Sequence, residues 1–325
     1  MTVKRFALRC LAVLFALSLV SGNAASQDWP AKPLKLVVMA SPGGLIDVVA
    51  RTLAVPLSRN IGQPVVVENR PGAGGNIATD FVAKATPDGY TLLITSTNHA
   101  INQTLLPNPG FDYEKDLAPV SMVAEANQLL FASPSLPAGN VAELIAYAKR
   151  NPGKVSIAHA AIGTPSHVGA ELLASLGSID LVFVGYKSIT LAVPDMISGQ
   201  VQLGIGAVPT VLPMLISGRL KAIAVTASKR SRMLPDTPTV ADSGLPGFDV
   251  SAWMCILTTG GVPPLVIQRL NREIRGVMAL PEVRDYLDKQ DTVAVSTTPA
   301  ELGDYVKAEA VKWARVLKNA KIKPQ

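Results

Sequence analysis

The sequence predicts an α/β protein built from two domains, and three observations lead to that prediction. The chain has 325 residues, whereas one domain commonly takes about 100 to 200 residues. Hydrophobic residues make up 48% of it and charged residues 17%, so a core can form and a disordered polar chain is excluded. Short apolar runs alternate with longer helical patterns, which is typical of α/β sheets with largely parallel strands.

Strands and helices alternate through the first two thirds of the chain. Each predicted strand is a short apolar run rich in β-branched residues and bounded by turn residues. The expected strands cover residues 34–39, 65–67, 90–95, 119–124, 155–158, 181–184, 201–205 and 220–225. Each predicted helix repeats apolar residues at three or four positions. The expected helices cover residues 45–60, 76–85, 141–150, 166–176 and 191–198.

The C-terminal part of the chain is predicted to form three helices. They cover residues 263–280, 281–290 and 299–319, and each has a proline at its start. Proline suits the first helical turn because its missing N–H would have no partner there. Thr298 and Glu301 flank the start of the last helix with the spacing of a capping box.

The domain boundaries are predicted from two proline-marked crossings, near residues 119–126 and 226–235. A chain that crosses twice has its middle segment inserted into a domain formed by both ends. The predicted first domain comprises residues 27–124 and 227–325, and the inserted second domain comprises residues 125–226. A ligand is expected in the cleft between them, because α/β sheets place their binding loops at the carboxyl ends of strands.

Residues 1–26 have the pattern of a secretory signal peptide. Lys4, Arg5 and Arg9 precede the run 11–20, which is apolar apart from one serine and is followed by small residues suited to cleavage. A membrane anchor would need about 20 apolar residues, roughly twice this run. The mature chain is therefore expected to be exported.

Charge and aromatic content argue against a nucleic-acid partner. The leader carries three positive charges and no acid, so removing those three from the net charge of +6 leaves about +3. No dense Lys/Arg run is left in the mature chain. Aromatic residues make up 5% of the sequence, which is too few for a surface of base-stacking platforms.

The two cysteines predict a mature chain without an intrachain disulfide. Cys10 lies in the leader, which leaves Cys255 without a partner. Cys255 sits in the apolar segment 253–257, where a buried, inert thiol is favoured over a nucleophile.

A glycine-rich turn follows the first predicted strand and opens a helix. It reads Ser41-Pro42-Gly43-Gly44, and Asp47 lies in the first helical turn. Backbone N–H groups at a helix N-terminus carry partial positive charge and suit a carboxylate or phosphate. The alternative is an ordinary tight turn in which Asp47 only stabilises the helix dipole.

A second glycine cluster, residues 71–76, does not match a dinucleotide-binding fingerprint. Ile77 stands where GxGxxG requires its third glycine, and the strand 90–95 ends without an acidic residue to hold a ribose. Gly153-Lys154 is followed by Val155, so the GxxxxGK[ST] phosphate loop is absent as well. A close-packed turn is expected.

Hydroxyl, amide and imidazole side chains gather at two predicted strand-to-helix transitions. Such groups hydrogen-bond a polar ligand or cap the next helix; capping is favoured for Ser166, and both roles stay open for Thr97 and Asn98. The residues concerned are Thr97, Asn98 and His99 at the first transition, and Gly163, Thr164, Ser166 and His167 at the second.

No motif for catalysis or metal binding is found. His99, His159 and His167 have no partner at a metal-ligand spacing, and HExxH and CxxC are missing. No serine lies in a GxSxG frame, and no Cys/His arrangement can be assembled around Cys255. Catalytic residues, metals and cofactors are therefore not expected.

An ordered set of motifs along the mature chain carries a resemblance to a known family. The motifs are SPGG at 41–44 with Asp47 and Arg51, VVENRPGAGGN at 66–76, PDGYTLL at 87–93, HAIN at 99–102, YK at 186–187, LPDTPT at 234–239 and SAW at 251–253. This set resembles the Bug family of solute receptors, which are the extracytoplasmic receptors of tripartite tricarboxylate transporters.

The resemblance implies a monomeric periplasmic binding protein of type II-like fold, whose two lobes close by hinge motion on a small carboxylated solute. It implies a membrane permease as partner and no catalysis; a receptor read by a membrane sensor, or a cleft enzyme of similar fold, is the alternative. The implied ligand-binding residues are Ser41, Pro42, Gly43, Gly44, Asp47, Thr97, Asn98, His99, Gly163, Thr164, Ser166, His167, Tyr186 and Lys187.

Departures from the family pattern bear on the ligand. Family members commonly show an aromatic residue where this chain has Met39-Ala40, a glycine where it has Ser188, and an aspartate where it has Gly206. An aspartate at that strand end could accept hydrogen bonds from a ligand ammonium. Gly206 therefore predicts a ligand without an amino group, unless the glycine only relieves packing.

Overall fold

The computed structural model describes residues 29–106, 108–160, 162–322 and 324. The predicted leader, residues 1–26, lies outside the described residues. Within the ranges given, no helix combines the length and the apolar character that crossing a membrane requires. Cys255 is buried with a free thiol, as predicted, and this burial raises the pKa of the thiol.

The strands of the described chain form two sheets, one in each lobe. The strands are β1 (Leu34–Val38), β2 (Val65–Asn69), β3 (Thr91–Ser96), β4 (Leu117–Ala126), β5 (Gln128–Ala132), β6 (Val155–His159), β7 (Leu181–Gly185), β8 (Leu203–Ala207), β9 (Lys221–Val225), β10 (Ala252–Thr259) and β11 (Thr292–Ala294). The first sheet has the order β11-β4-β10-β3-β1-β2, and the second has the order β7-β6-β8-β5-β9.

Helices cover the sheets and connect most of the strands. They are α1 (Leu45–Ile61), α2 (Asn76–Ala83), α3 (Asn98–Leu105), α4 (Val141–Arg150), α5 (Pro165–Gly177), α6 (Ile189–Ile197), α7 (Val208–Ile216), α8 (Pro264–Met278), α9 (Pro281–Asp288) and α10 (Pro299–Asn319). The predicted α/β class is confirmed, and so are the three C-terminal helices with proline in the first turn.

Both sheets are mixed, which corrects the expectation of largely parallel strands. In the first sheet β1 is parallel to β2 and β3, whereas β10 is antiparallel to β3 and β4. In the second sheet β6 is parallel to β7 and β8, whereas β5 is antiparallel to β8 and β9. β5 and β10 each enter their sheet from the other lobe, so they run against the strands joined by helical crossovers.

The strand directions place the carboxyl ends of several strands in each sheet toward the other lobe. β4 ends at Ala126 and β5 begins at Gln128, so the chain crosses between the sheets at this point. β1 and β3 run in the same direction as β4, and β8 runs toward the start of β5. The carboxyl ends of β1, β3, β6 and β8 therefore face the cleft, where α/β sheets bind their ligands.

Helix α10 connects the two lobes. It packs against α3 of the first lobe and α5 of the second. Its start is the predicted capping box, in which the Glu301 N–H donates to the Thr298 hydroxyl at 3.2 Å and the Thr298 N–H donates to the Glu301 carboxylate at 2.8 Å. Further along, the indole N–H groups of Trp253 and Trp313 both donate to the Glu309 carboxylate at 2.9 Å.

Candidate functional site

The loop between β1 and α1 is held in shape by the carboxylate of Asp47. Asp47 is 3% exposed, and one of its oxygens accepts hydrogen bonds from the Gly43 N–H and from Arg51 Nε, both at 2.9 Å. Asn69 Nδ2, at the end of β2, donates to the other oxygen and to the Ala40 carbonyl, again at 2.9 Å. The hydrogen bond from Arg51 lowers the pKa of Asp47 to about 2, so it is charged at neutral pH.

The tip of this loop is exposed and lies at the N-terminus of α1. Ser41, Pro42, Gly43 and Gly44 are exposed, and Gly43 has a φ of 81°, a conformation that glycine adopts without strain. Gly44 is the N-cap and has no side-chain capping bond. The first-turn N–H groups of α1 thus have no side-chain cap, and anion binding at this helix N-terminus stays a prediction.

The three polar residues at the start of α3 point in different directions. Asn98 accepts a hydrogen bond from the Ser96 hydroxyl and donates through Nδ2 to the carbonyl of Gly163 at 3.1 Å. Gly163 belongs to the second lobe, so Asn98 bridges the cleft. Thr97 is fully buried, and its hydroxyl donates to the Ser251 carbonyl and accepts from the Trp253 N–H, each at 3.2 Å.

His99 faces away from the first loop. Its ring meets the Tyr113 ring edge-on, with centroids 5.1 Å apart, and it lines a cavity together with Leu117 and Leu257. Burial lowers the pKa of His99 to about 4, so the imidazole is neutral at physiological pH. A direct contact of Thr97 or His99 with a cleft ligand stays a prediction.

The residues of the second-lobe loop between β6 and α5 are hydrogen-bonded to one another and to the first turn of α5. Thr164 is the N-cap of α5 and accepts from the His167 N–H, and its hydroxyl lies 3.0 Å from that of Ser166. The Ser166 hydroxyl also accepts from the Ala160 N–H at 3.0 Å, and the Gly163 N–H donates to His167 Nδ1 at 3.4 Å. Ser166 is buried, and its hydroxyl is engaged within the loop.

The imidazoles beside this loop are uncharged at neutral pH. The rings of His159 and His167 lie 4.7 Å apart, and burial, with the neighbouring His159, lowers the pKa of His167 to about 4. Glu171 lies 3.8 Å from His167 Nε2, and its own burial raises its pKa to about 7. A bound anion would therefore meet dipoles here rather than imidazolium charges.

Tyr186 and Lys187 follow β7 at the edge of the second lobe. The Tyr186 hydroxyl donates to the Asp195 carboxylate at 2.6 Å, and the pKa of Tyr186 is raised to about 12 by burial and by that carboxylate. The Tyr186 N–H donates to the carbonyl of His159 at 2.9 Å. Lys187, the next residue, is exposed and carries an ammonium group.

Gly206, at the end of β8, is packed against Ile189. A Cβ at this position would come within 3.0 Å of Ile189 Cγ2 and 3.5 Å of Phe131 Cε1. The space that an aspartate side chain would need is filled by Ile189, the first residue of α6. Position 206 thus has no carboxylate, and the apolar side chain of Ile189 lies beside it.

Sequence reasoning missed three residues that shape the site. Asn69 joins β2 to the first loop, His159 packs at a tilted angle against His167, and Ile189 fills the space beside Gly206. Asn69 lies within the motif at 66–76 and could have been found there, whereas the other two depend on tertiary packing. In the described ranges, no group of three or more His, Cys, Asp or Glu side chains could hold a metal ion.

The first comparison with known proteins concerns sequence. Residues 49–322 match the model of the family described as tripartite tricarboxylate transporter family receptor. Protein BugT from Bordetella pertussis is 37% identical over 322 residues, which is 97% of this chain and 99% of that protein.

Solved structures agree with the sequence match. The R. palustris protein Rpa4515, solved with adipate, is 33% identical with a TM-score of 0.79 over 92% of this chain and 100% of that one. The periplasmic binding protein BugD is 33% identical with a TM-score of 0.77 over 91% of this chain and 100% of that one. The two lobes have the fold of periplasmic binding proteins, and this chain belongs to the tripartite tricarboxylate transporter receptor family, as a solute-binding receptor.

Proposed function

We propose that this receptor captures a small dicarboxylate without an amino group in the cleft between its lobes. The observation that carries the proposal is the exposed first loop, which leads into the N-terminus of α1 without a side-chain cap on the first-turn N–H groups. A carboxylate at a helix N-terminus is stabilised by those N–H groups and by the helix dipole. Both oxygens of the nearby Asp47 carboxylate are engaged by Gly43, Arg51 and Asn69.

One end of the ligand would bind at Gly43 and Gly44, and the other end would face the loop from Gly163 to His167. The hydroxyls of Thr164 and Ser166 are chemically suited to a second carboxylate, because hydrogen bonds to a charged acceptor are the strong ones. Asn98 would close the cleft over the ligand through its bond to Gly163. Tyr186 and Lys187 complete the proposed second wall.

The proposal that the ligand has no amino group rests on Gly206 and Ile189. A ligand ammonium in a closed cleft needs an acceptor, since an unpaired buried charge is costly. At this strand end the chain offers the side chain of Ile189, which meets a Cβ at 206 within 3.0 Å. The relative solved with adipate holds a dicarboxylate of this kind, which supports the same substrate class here.

We further propose the surroundings in which the receptor works. Export after cleavage of residues 1–26 would place it in the periplasm, as BugD is a periplasmic binding protein. The proposed lobes are residues 27–124 with 227–325 and residues 125–226, and the loaded monomer would present its solute to a membrane permease. No chemical conversion of the solute is proposed.

Calorimetric titration of the mature chain tests the substrate class. The panel pairs each dicarboxylate with its amino acid counterpart, glutarate against glutamate and succinate against aspartate, and adds adipate. The dicarboxylates are expected to bind at least about tenfold tighter, which corresponds to about 1.4 kcal/mol. Tighter binding of the amino acids would refute the dicarboxylate assignment, and turnover of the bound compound would refute the receptor role.

A further inference from the structure

A second cavity lies behind α3, away from the first loop and from the loop between β6 and α5. It has a volume of about 400 Å³ and lies between α3, the start of β4 and the first turns of α10. Leu117, Leu257 and Val306 give it an apolar floor. No residue from 41–44 or from 162–167 lines it, so it is separate from the proposed cleft site.

One wall of this cavity is the imidazole of His99. His99 is 4% exposed, and its Nδ1 has no hydrogen-bond partner among the described residues. A buried polar atom without a partner is energetically unfavourable. The hydroxyl of the neighbouring Tyr113 donates to Asn76 at 3.1 Å and makes no bond to this nitrogen. The ring thus has hydrogen-bonding capacity that the described chain does not use.

A second feature of the cavity is Gly303 in the first turns of α10. A Cβ at this position would meet only Pro119 Cγ, at 3.7 Å, which is an ordinary contact distance. Glycine inside a helix is less favourable than alanine. Packing within the chain therefore does not require glycine here, and its missing side chain leaves the cavity open.

The charges at the rim argue against an ionic occupant. Glu114, Asp304 and Lys307 line the opening, two acids with one base, so an anion would meet a net negative rim. The floor is apolar, and burying a charge against it is costly. An aromatic ring suits the floor and the edge of Tyr113, because aromatic pairs prefer edge-to-face contacts.

We propose that this cavity is a second binding site, for a small uncharged aromatic molecule that carries one hydroxyl group. The ring would lie on Leu117, Leu257 and Val306, and the hydroxyl would bond to Nδ1 of His99 once a rotation about Cβ–Cγ turns this buried atom toward the cavity. The proposal does not depend on the identity of the cleft ligand.

Phenol is the probe, and backbone amide NMR of the mature chain locates its binding. Saturable shifts are expected around Tyr113, Leu257 and Val306, with toluene binding at least about fivefold more weakly because it has no hydroxyl. Gly303→Leu fills the cavity with a residue that favours helix and is expected to weaken phenol binding at least about tenfold. Gly303→Ala removes less space, keeps the fold and is expected to weaken binding by a smaller factor.

His99→Phe tests the polar contact, since it keeps an aromatic ring and removes both nitrogens. The preference for phenol over toluene is expected to disappear in this variant. The proposal would be overturned if phenol caused no saturable shifts in the wild-type protein, or if the shifts lay around Gly43 and Gly163 instead. Phenol affinity that is unchanged in both Gly303 variants, or a phenol preference that survives in His99→Phe, would overturn it as well.

Discussion

At the residue scale, Asp47 places a negative charge inside the loop that we propose binds an anion. Two unit charges 4 Å apart repel by about 1 to 4 kcal/mol between water and the dielectric of a protein surface. Here both oxygens of Asp47 are hydrogen-bonded to Gly43, Arg51 and Asn69. The carboxylate thus fixes the loop while its charge is balanced within the same turn.

Asp47→Ala should lower both stability and ligand affinity. The buried partners of the carboxylate lose their acceptor, and we expect the free energy of unfolding to fall by about 2 to 3 kcal/mol. The pKa of about 2 in the folded protein lies below the ordinary aspartate value of 3.8. Asp47 therefore stabilises the wild-type protein above about pH 4 and loses this effect as the pH falls toward 2. Urea unfolding from pH 2 to 7 measures the stability and its pH dependence, and calorimetric titration measures the ligand affinity.

Lys84→Ala is the control for Asp47→Ala. Lys84 forms an exposed ion pair with Asp80 one turn away, and such pairs contribute about 0.3 to 0.5 kcal/mol. A loss of stability at Asp47 no larger than this, or one that persists unchanged at pH 2, would contradict the role assigned to the carboxylate.

Glu171→Gln should stabilise the protein at high pH only. Burial raises the pKa of Glu171 to about 7 from 4.5, so the folded state holds a proton that the unfolded state has lost between these values. Stability from this group is present below about pH 4.5 and is lost as the pH rises through 7. The variant should gain about 1 kcal/mol at pH 8, after allowance for solvent screening, and nothing at pH 4.

The comparison needs a difference curve, because His167 acts in the opposite sense. Its pKa falls from 6.5 to about 4, so its contribution to stability is lost as the pH falls through that range. Subtracting the pH profile of the variant's stability from that of the wild type removes the contribution of His167, which both proteins share. Glu282→Gln, which removes a carboxylate from an exposed site, is the control, and its stability should change with pH as that of the wild type does. If the stability of Glu171→Gln also changed with pH as in the wild type, the role assigned to Glu171 would be ruled out.

At the element scale, the start of α10 shows what local sequence determines. The capping box needs only the side chains and backbone of residues 298–301, so the pattern predicts it and the geometry confirms it. Strands β5 and β10 were not predicted as elements, because β5 and nearly all of β10 are buried. A continuous apolar run carries no period to tell strand from helix. Their antiparallel directions depend on the path between the lobes, which no local pattern contains.

Thr298→Ala should destabilise the protein through the last helix. The Glu301 N–H loses its acceptor, and an N-cap threonine replaced by alanine costs about 0.5 to 2 kcal/mol. Thr298→Ser keeps the hydroxyl and should stay within about 0.5 kcal/mol of the wild type. Midpoints of urea unfolding measure the difference; equal loss in both variants would mean that the threonine methyl group, not the cap, matters.

The candidate site also has one part that local sequence predicts and another part that depends on tertiary packing. The first loop is predictable, because a glycine-rich turn between a strand and a helix exposes N–H groups whatever the rest of the chain does. The directions of Thr97 and His99 are not, since β10 and Tyr113, which receive them, come from distant parts of the sequence. Three consecutive polar residues therefore face three different environments: β10, the other lobe and the second cavity.

At the scale of the whole molecule, two kinds of contact hold the lobes together. Helix α10 packs on both lobes, and a single buried apolar cluster contains residues from each, including Leu172 and Trp313. Leu172 and Trp313 lie outside the loops that we propose bind the ligand. The hydrogen bond from Asn98 to Gly163 lies between the loops themselves. Closure should thus depend on Asn98 while overall stability depends on α10.

Ligand binding should make the protein more compact, and Asn98→Ala should weaken that response. Solution scattering of the wild type is expected to give a smaller radius of gyration when a bound dicarboxylate joins the lobes. A hydrogen bond contributes about 0.5 to 1.5 kcal/mol net, so losing the bond to Gly163 should weaken binding by about 2- to 13-fold, mainly through faster dissociation.

Asn140→Ala separates closure from stability, because it is the same substitution at a site far from the cleft. Asn140 caps α4 by accepting from the Glu143 N–H, so its loss should cost about 1 kcal/mol of stability and leave ligand affinity within twofold. Asn98→Ala should show the reverse balance, with the larger effect on affinity and on the ligand-induced change in radius. Equal affinity in the two variants, or a wild-type radius that does not change at saturation, would mean that the Asn98–Gly163 bond does not hold the closed form.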